Sequence, residues 1–371
     1  MDNYDLLVCG AGPVGCTIAN RAANLLGWKV LMVEKRNHVA GNCYDEKHSS
    51  GVLIHKYGPH YFRTNNEELL SFLSEYTDWI PGDYIVKSST RGELFPFPIN
   101  LYTLEQFFKR DFTPEEAEKF LREKALPITN PKNSEEFVLS RVGPELYEAF
   151  YKGYTLKQWD RHPKDLDASV CGRIPIRFNR DCRYVDHTHQ VTPKNGFTEL
   201  FTRMVTHPNI TVRLNTNFGE IRNTIKPLKA TVYSGPADEY FDFKLGKLPW
   251  RSLHFDFVEY KEAFRQPCVQ INFPNDNDYT RTVEIKHVTK QACDNTVISY
   301  EYSRAEGDPY YPIPAPENEA LFKKYQELSK QEEIANNVFF VGRLANYKYY
   351  NTDQVLEEAL KTFEQIRVKV Q

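Results

Sequence analysis

The first forty-five residues constrain the fold more than any other stretch of the chain. Leu6-Leu7-Val8-Cys9 reads as a short buried strand, Cys16 to Leu26 as a helix rich in Ala and Leu, and Val30 to Arg36 as a second strand and its exit. Between the first two lies Gly10-Ala11-Gly12-Pro13-Val14-Gly15, a G-x-G-x-x-G turn. In such a βαβ unit Gly10 allows the tight turn, Gly12 lets backbone approach a pyrophosphate, and Gly15 lets helix and strand pack closely. The pyrophosphate then sits at a helix N-terminus, where free N–H groups and the dipole favour negative charge. Glu34, followed by Lys35, stands 22 residues after Gly12, where a carboxylate can accept ribose hydroxyls. Strand, glycines, helix, strand and acid therefore point to an adenine dinucleotide, with FAD and NAD both open.

The remaining composition narrows the class by exclusion. At 371 residues the chain is long enough for two or three domains with sizeable cores. With 41% hydrophobic and 26% charged residues and a formal net charge of −3, it has no basic surplus for nucleic-acid binding. No apolar run approaches the ~20 residues of a membrane span, and the acidic start predicts no signal peptide. The seven cysteines show no CxxC and no zinc-like spacing, which fits free thiols in a reducing cytosol. Cys182 with His187 and His189 lacks ligand spacing and is set aside as a metal site.

Along the chain, Gly51 to Lys56 reads as a hairpin strand, followed by the loop Tyr57-Gly58-Pro59-His60. Leu94 to Pro98 is extended, because Pro96 and Pro98 exclude helix for the residues before them. From Thr103 to about Gln158 the pattern is helical. Thr113-Pro114-Glu115-Glu116 supplies a cap, a proline and first-turn acids, and Ser134 and Gly143-Pro144 open two more helices. Alternating strand-like segments dominate from 208 to 302. A helix (317–328), a strand (337–342) and a helix (352–368) close the chain, and that last strand is expected to return to the N-terminal sheet. The expectation is an α/β protein: a discontinuous Rossmann-like FAD-binding domain (1–75, 193–240 and 316–371), a helical insertion (100–168) and an antiparallel sheet insertion (76–99, 169–192 and 241–315).

Three segments carry chemistry beyond the dinucleotide. In Lys152-Gly153-Tyr154-Thr155-Leu156-Lys157-Gln158-Trp159, two aromatics can line one groove against a base and a sugar, or simply close a helix end. Arg173, Arg177, Arg251 and Arg281 carry planar forks suited to a diphosphate. Gly342-Arg343, running on to the Thr352 helix start, brings a strand end to a helix N-terminus, suited to a reduced anionic flavin ring. There is no nucleophile elbow, no paired-cysteine redox centre and no second G-x-G-x-x-G.

Taken together, these segments resemble the UDP-galactopyranose mutase family. The matching stretches are Glu34-Lys35-Arg36-Asn37-His38 with Gly41-Asn42, His55-Lys56-Tyr57-Gly58 with His60, Lys152 to Trp159, and Arg173-Ile174-Pro175 with Arg177-Phe178. Tyr233-Ser234-Gly235-Pro236, Tyr240-Phe241-Asp242, Arg251-Ser252-Leu253, Tyr279-Thr280-Arg281, Asp308 to Pro312 and Gly342-Arg343-Leu344-Ala345 continue the match over essentially the whole chain. The resemblance implies bound FAD, active when reduced, a homodimer and a cytoplasmic enzyme. It implies ring contraction of a nucleotide-diphospho-hexopyranose to its furanose, through attack of flavin N5 on the anomeric carbon and departure of the nucleoside diphosphate. By position it implies His60, Arg177 and Arg281 as catalytic, with Arg177 on a mobile loop. It places the substrate among Arg63, Tyr84, Tyr154, Thr155, Trp159, Tyr184, Arg251, Asn272, Glu301, Tyr311, Tyr347 and Tyr350. It places the flavin among Gly10, Gly12, Val14, Gly15, Glu34, Lys35, Asn42, His60, Tyr61, Gly342, Arg343, Thr352, Asp353, Gln354 and Val355.

Some positions depart from the family pattern. Arg63 replaces a His, Tyr84 an Asn, Pro59 an Ala and Asn351 an Asp, while Ala40 and Val341 replace glycines. The first two face the expected sugar, so UDP-GalNAc and a UDP- or dTDP-linked 6-deoxyhexose stand beside UDP-galactose. An amine-oxidase-type flavoprotein, sharing the fingerprint, is the rival of another class.

Overall fold

The computed structural model describes residues 3–370. Its centre is the strand Leu6–Cys9, buried along its whole length. The strand carries an unbroken apolar run because helices cover both faces of a parallel sheet. Val30–Val33 and Ala230–Tyr233 flank it, with Ile210–Arg213 and Val338–Phe340 at the edges, all in parallel register. The sheet thus draws strands from three separated stretches, and the C-terminal strand does return to it. Helices Pro13–Leu26, Phe197–Val205 and Thr352–Val370 pack together over one face, burying Ile18, Ala22, Phe201, Ala359 and Phe363.

Helices Leu101–Phe108, Pro114–Lys124 and Ser134–Leu146 follow the sequence signals closely. The Thr113 side chain accepts from the Glu116 N–H, and the Glu116 carboxylate accepts from the Thr113 N–H at 2.9 Å, a reciprocal cap. Asn133, not Ser134, caps the third helix, its Oδ1 accepting from Glu136 N at 2.8 Å. At Gly143 the backbone leaves the helix (φ 76°, ψ 177°), so Pro144 begins a new turn. That turn continues through a π-helical stretch, Tyr147–Lys152, into the short helix Gly153–Trp159. The helix near the C-terminus extends further than its apolar pattern, over Pro316–Asn336. Its second half, Ser329 to Asn336, is polar nearly all round and therefore carries no periodic signal.

A seven-stranded sheet runs in the order Tyr311–Pro312, Trp250–Tyr260, Thr296–Arg304, Arg281–Val283, Gln270–Asn272, Val86–Thr90 and Glu93–Phe97. It is antiparallel except where Gln270–Asn272 pairs in parallel with Val86 to Ser88. The register sets Asn272, Arg281 and Glu301 side by side in one row, and so on one face of the sheet. One expectation differs. His189–Pro193 and Trp79–Pro81 join Phe62–Thr64 in a separate three-stranded sheet, outside the large one. The cause is apolar: Phe62 stacks on Trp79 at 5.3 Å, and Phe62 and Val191 belong to the dinucleotide core. Among the described residues no helix is long and apolar enough to cross a membrane.

Candidate active site

The glycine-rich turn forms the floor of a cavity of about 220 Å³. Gly10 has φ +105°, and a Cβ there would lie 2.2 Å from Ser234 Oγ; at Gly15 it would lie 1.9 Å from the Gly10 carbonyl. The first glycine is needed for backbone shape, the second for the closeness of helix to strand. The helix that follows starts at Pro13 with no side-chain cap and no acid in its first turn, so its N–H groups face the cavity uncompensated. Glu34 accepts from Ala11 N (2.8 Å) and Arg36 N (2.9 Å), one bond to each oxygen. Each oxygen keeps a second lone pair for a ribose hydroxyl. Val14, Lys35, Asn42, His60, Gly342, Arg343, Thr352 and Val355 line the same cavity. So do Thr216, Asn217, Phe218 and Glu239, which no sequence motif marked.

A second cavity of about 480 Å³ opens from the first and shares Asn42, His60, Arg343 and Thr352 with it. Arg63, Tyr84, Tyr154, Thr155, Trp159, Tyr184, Asn272, Arg281 and Tyr311 line it as expected. Tyr61 and Gln354, expected at the flavin, line this second cavity instead. Asp353 lines neither; it is buried 4.0 Å from His187.

Electrostatically the second cavity is a basic aromatic box. Arg281 Nη2 donates to Glu301 Oε2 at 2.7 Å, and Glu301 is fully buried behind it. The Arg173 guanidinium lies 4.7 Å from the Tyr349 ring centroid and that of Arg343 4.8 Å from it. Burial alone would raise the Tyr349 phenol, but the charges of Arg173, Arg343, Arg63 and Arg281 outweigh it and bring it below the ordinary tyrosine value. At the junction of the two cavities, His60 Nδ1 pairs with the Gly58 carbonyl at 2.9 Å, which leaves Nε2 as an acceptor. Burial, with His55, Arg343 and Arg281 nearby, holds His60 at about 3 and therefore neutral. Its backbone N–H donates to His55 Nδ1 at 3.0 Å.

Five substrate or catalytic assignments change. Arg177 does not reach the cavity; its guanidinium is taken up by the Arg183 carbonyl and Asp186, and Arg173 faces the cavity in its place. Arg251 lies behind the wall, with Nε 3.2 Å from both the Gln158 carbonyl and Ser303 Oγ. Tyr347 packs away from the cavity against Trp250 and Phe322, its hydroxyl on the Pro249 carbonyl, whereas Tyr349 lines it. Tyr350 lines the first cavity, where its carbonyl accepts from Arg343 Nη2 at 2.7 Å. Glu301 does not line the cavity and acts on it through Arg281. Arg173 had a visible signal in its Arg-Ile-Pro-Ile-Arg segment, but nothing in the sequence chose between its two arginines. Gln158, within the Lys152 to Trp159 segment, and His187, set aside above as a metal ligand, also line the cavity, though neither was assigned there from the sequence.

A Rossmann-like domain that opens onto a basic, aromatic second cavity defines an α/β enzyme joining a flavin or nucleotide cofactor to an anionic substrate. The sequence profile described as UDP-galactopyranose mutase matches residues 149–349, and that of an NAD(P)-binding Rossmann-like domain matches 8–76. The probable UDP-galactopyranose mutase of Klebsiella pneumoniae is 37% identical, over 98% of this chain and 95% of its own. The dTDP-fucopyranose mutase of Escherichia coli is 35% identical, over 96% of each. A crystal structure of reduced UDP-galactopyranose mutase has the same fold at TM-score 0.78, with 15% identity, over 99% of this chain and 94% of that one. The chain belongs to the UDP-galactopyranose mutase family, and it is an isomerase of the mutase type.

Proposed function

We propose that the chain binds FAD in the first cavity and, with the flavin reduced, interconverts a nucleotide-diphospho-hexopyranose and its hexofuranose in the second. The observation that carries this reading is the meeting of the two cavities at Asn42, His60, Arg343 and Thr352. A dinucleotide lying along the first would present its ring end to a sugar in the second. The glycine cradle, the uncapped helix start and the free lone pairs of Glu34 fit FAD. Reduced FAD supplies, at N5, the nucleophile for the anomeric carbon.

The chain's own residues bind and neutralise. Arg281, braced by Glu301, and Arg173, set over Tyr349, flank the diphosphate and offset the charge it gains on leaving. Tyr154 offers a ring face to the base and Thr155 and Trp159 contact the nucleotide. Neutral His60 presents an acceptor where sugar and flavin meet. We take UDP-galactopyranose as the substrate. A second reading, UDP-GalNAc or a UDP- or dTDP-linked 6-deoxyhexose, is favoured by Arg63 and Tyr84 lining the cavity, one adding donors and the other bulk. The same reading includes a homodimer, which sedimentation velocity would check.

The test is incubation of UDP-galactose, UDP-GalNAc and a dTDP-6-deoxyhexose with dithionite-reduced and with oxidised protein, followed by chromatography. Furanose from the reduced protein alone is the expected result. Hydrogen peroxide formed from an amine substrate would identify an oxidase instead, and no furanose from any sugar would sink the proposal.

A further inference from the structure

The loop Tyr57-Gly58-Pro59-His60 lines the second cavity, and its last residue lines the first as well. It joins the strands Leu53–His55 and Phe62–Thr64, which belong to different sheets, so no ladder sets its course. At its start Lys56 N donates to the Tyr44 carbonyl at 3.1 Å. Gly58 turns the chain at φ +90°, and Pro59 has no N–H to offer. At its end the His60 N–H donates to a side chain, His55 Nδ1, at 3.0 Å. That bond fixes a tautomer: Nδ1 is the acceptor, so the neutral ring carries its proton on Nε2. Nε2 is buried without a hydrogen-bond partner and lies 3.9 Å from Asp45 Oδ2. The gap is too long for a hydrogen bond, yet a carboxylate there favours the proton on the nitrogen nearest to it. Asp45 is itself anchored. It faces His55 across the hairpin and accepts from Phe197 N at 2.6 Å and Thr198 N at 3.0 Å, at the start of the helix Phe197–Val205. His55 and Asp45 line neither cavity.

We propose that His55 is a positioning residue for the reaction: by accepting the His60 N–H it ties the loop to the dinucleotide domain and keeps the His60 ring at the junction of the two cavities. Asp45 selects the tautomer that makes this bond possible. This rests on the function proposed above. A side-chain anchor is what this loop requires, because its proline cannot donate and its glycine resists no rotation. The chain of support runs from a helix start through Asp45 and His55 to the main chain of His60, and the His60 ring is then set by its own bond to the Gly58 carbonyl. Displacing a group at a reacting centre by about 1 Å can cost roughly a hundredfold in rate, so the anchor acts on turnover without touching substrate.

The experiment compares His55→Asn with His55→Gln in the FAD-loaded protein. The Asn carbonyl oxygen stands where Nδ1 does and can accept the His60 N–H, whereas the Gln amide reaches the place of Nε2 and cannot. A residue that only filled space would be replaced better by Gln, the closer of the two in volume. The opposite order is expected: kcat of the reduced His55→Gln protein about tenfold below that of His55→Asn, with KM and flavin content alike in both. Amide hydrogen exchange reads the anchor without turnover, and His60 should exchange about tenfold faster in His55→Gln than in His55→Asn. Equal exchange at His60 in the two variants, or a kcat in His55→Gln that matches or exceeds that of His55→Asn, overturns the proposal. A wild type that forms no furanose removes the function, while exchange at His60 still decides whether His55 holds the loop. Should either variant not fold, the wild type decides through nitrogen NMR of the His55 ring: a bare Nδ1 and a protonated Nε2 are expected, and the other tautomer overturns the proposal.

Discussion

The two cavities are built on opposite principles. The floor of the first is backbone: a glycine turn and a helix start, with the Glu34 carboxylate beside them, all within residues 10 to 34. The second is made of side chains from many separated segments, between Asn42 and Gln354, brought together by sheet register and by the end of a seven-residue helix. A backbone site tolerates no added atom but depends on few distant partners. A side-chain site tolerates substitution of its scaffold, yet its charges must be held by buried partners such as Glu301. Stability should therefore fail first in one and turnover first in the other.

The largest effect is expected at Gly15→Val. A Cβ alone would meet the Gly10 carbonyl at 1.9 Å, and backbone cannot yield as a side-chain tip can. Absorbance near 450 nm and a thermal melt should find no soluble yellow protein. A folded variant with full flavin would break the contrast between the two sites.

Next come the arginines. Arg173→Ala and Arg281→Ala should each lower kcat/KM by about a hundredfold with flavin retained, since a charged hydrogen bond contributes roughly 1.5–3 kcal/mol. Arg177→Ala should behave differently. Its guanidinium serves the Arg183 carbonyl and Asp186, and at 7% exposure its loss leaves that carbonyl unpaired. Destabilisation of roughly 1–3 kcal/mol is expected, with kcat/KM within a few-fold of wild type. Steady-state kinetics beside urea unfolding would separate the three, and a hundredfold kinetic loss in Arg177→Ala alone would restore it to the clamp.

This contrast also explains what could be read from the sequence. The first two strands of the parallel sheet, the glycine turn and the acid were legible because they lie in one short stretch with its own periodicity. The capped helices at Thr113 and Ser134 were legible for the same local reason. In the second cavity the segments were legible but the residue within each was not. Arg173 and Arg177 differ only in which way an irregular loop turns them. Tyr347, Tyr349 and Tyr350 lie within four residues that no 3.6- or 2-residue period orders. Within the marked Lys152 to Trp159 segment nothing singled out Gln158, and His187 was placed at the cavity only by its three-dimensional neighbours.

Behind His60 stands His55, buried against Phe197 and accepting from the His60 N–H. Burial lowers it to about 4, so the folded state disfavours its proton. A histidine depressed in this way stabilises the fold above its unfolded value near 6.5, and that contribution is lost as pH falls toward 4. Roughly 2 kcal/mol should be gone by pH 5. Asp45, raised by burial, works in the opposite direction at lower pH. His55→Gln should therefore flatten the decline of stability between pH 6.5 and 5; urea unfolding at four pH values checks this, and parallel curves would exclude His55 as the cause.

The smallest expected effect concerns the sugar. Arg63 Nη2 donates to Asn351 Oδ1 at 2.8 Å, which leaves further guanidinium N–H groups for acceptors on the hexose. Tyr84 stacks on Tyr61 at 4.6 Å and donates to Gln270 Oε1 at 2.9 Å, so its bulk is fixed and cannot swing clear. Together they favour a sugar with an added acceptor, such as N-acetyl, or one with a smaller group at C6. Arg63→His with Tyr84→Asn should then shift the kcat/KM ratio toward UDP-galactose by about tenfold, some 1.4 kcal/mol and within reach of one pocket contact. Competition between UDP-galactose and the best alternative sugar, in wild type and double variant, measures that ratio directly. If it does not move, the fixed side chains at positions 63 and 84 shape the wall without choosing the sugar, and discrimination lies with Asn272, Asn351 and the flavin face.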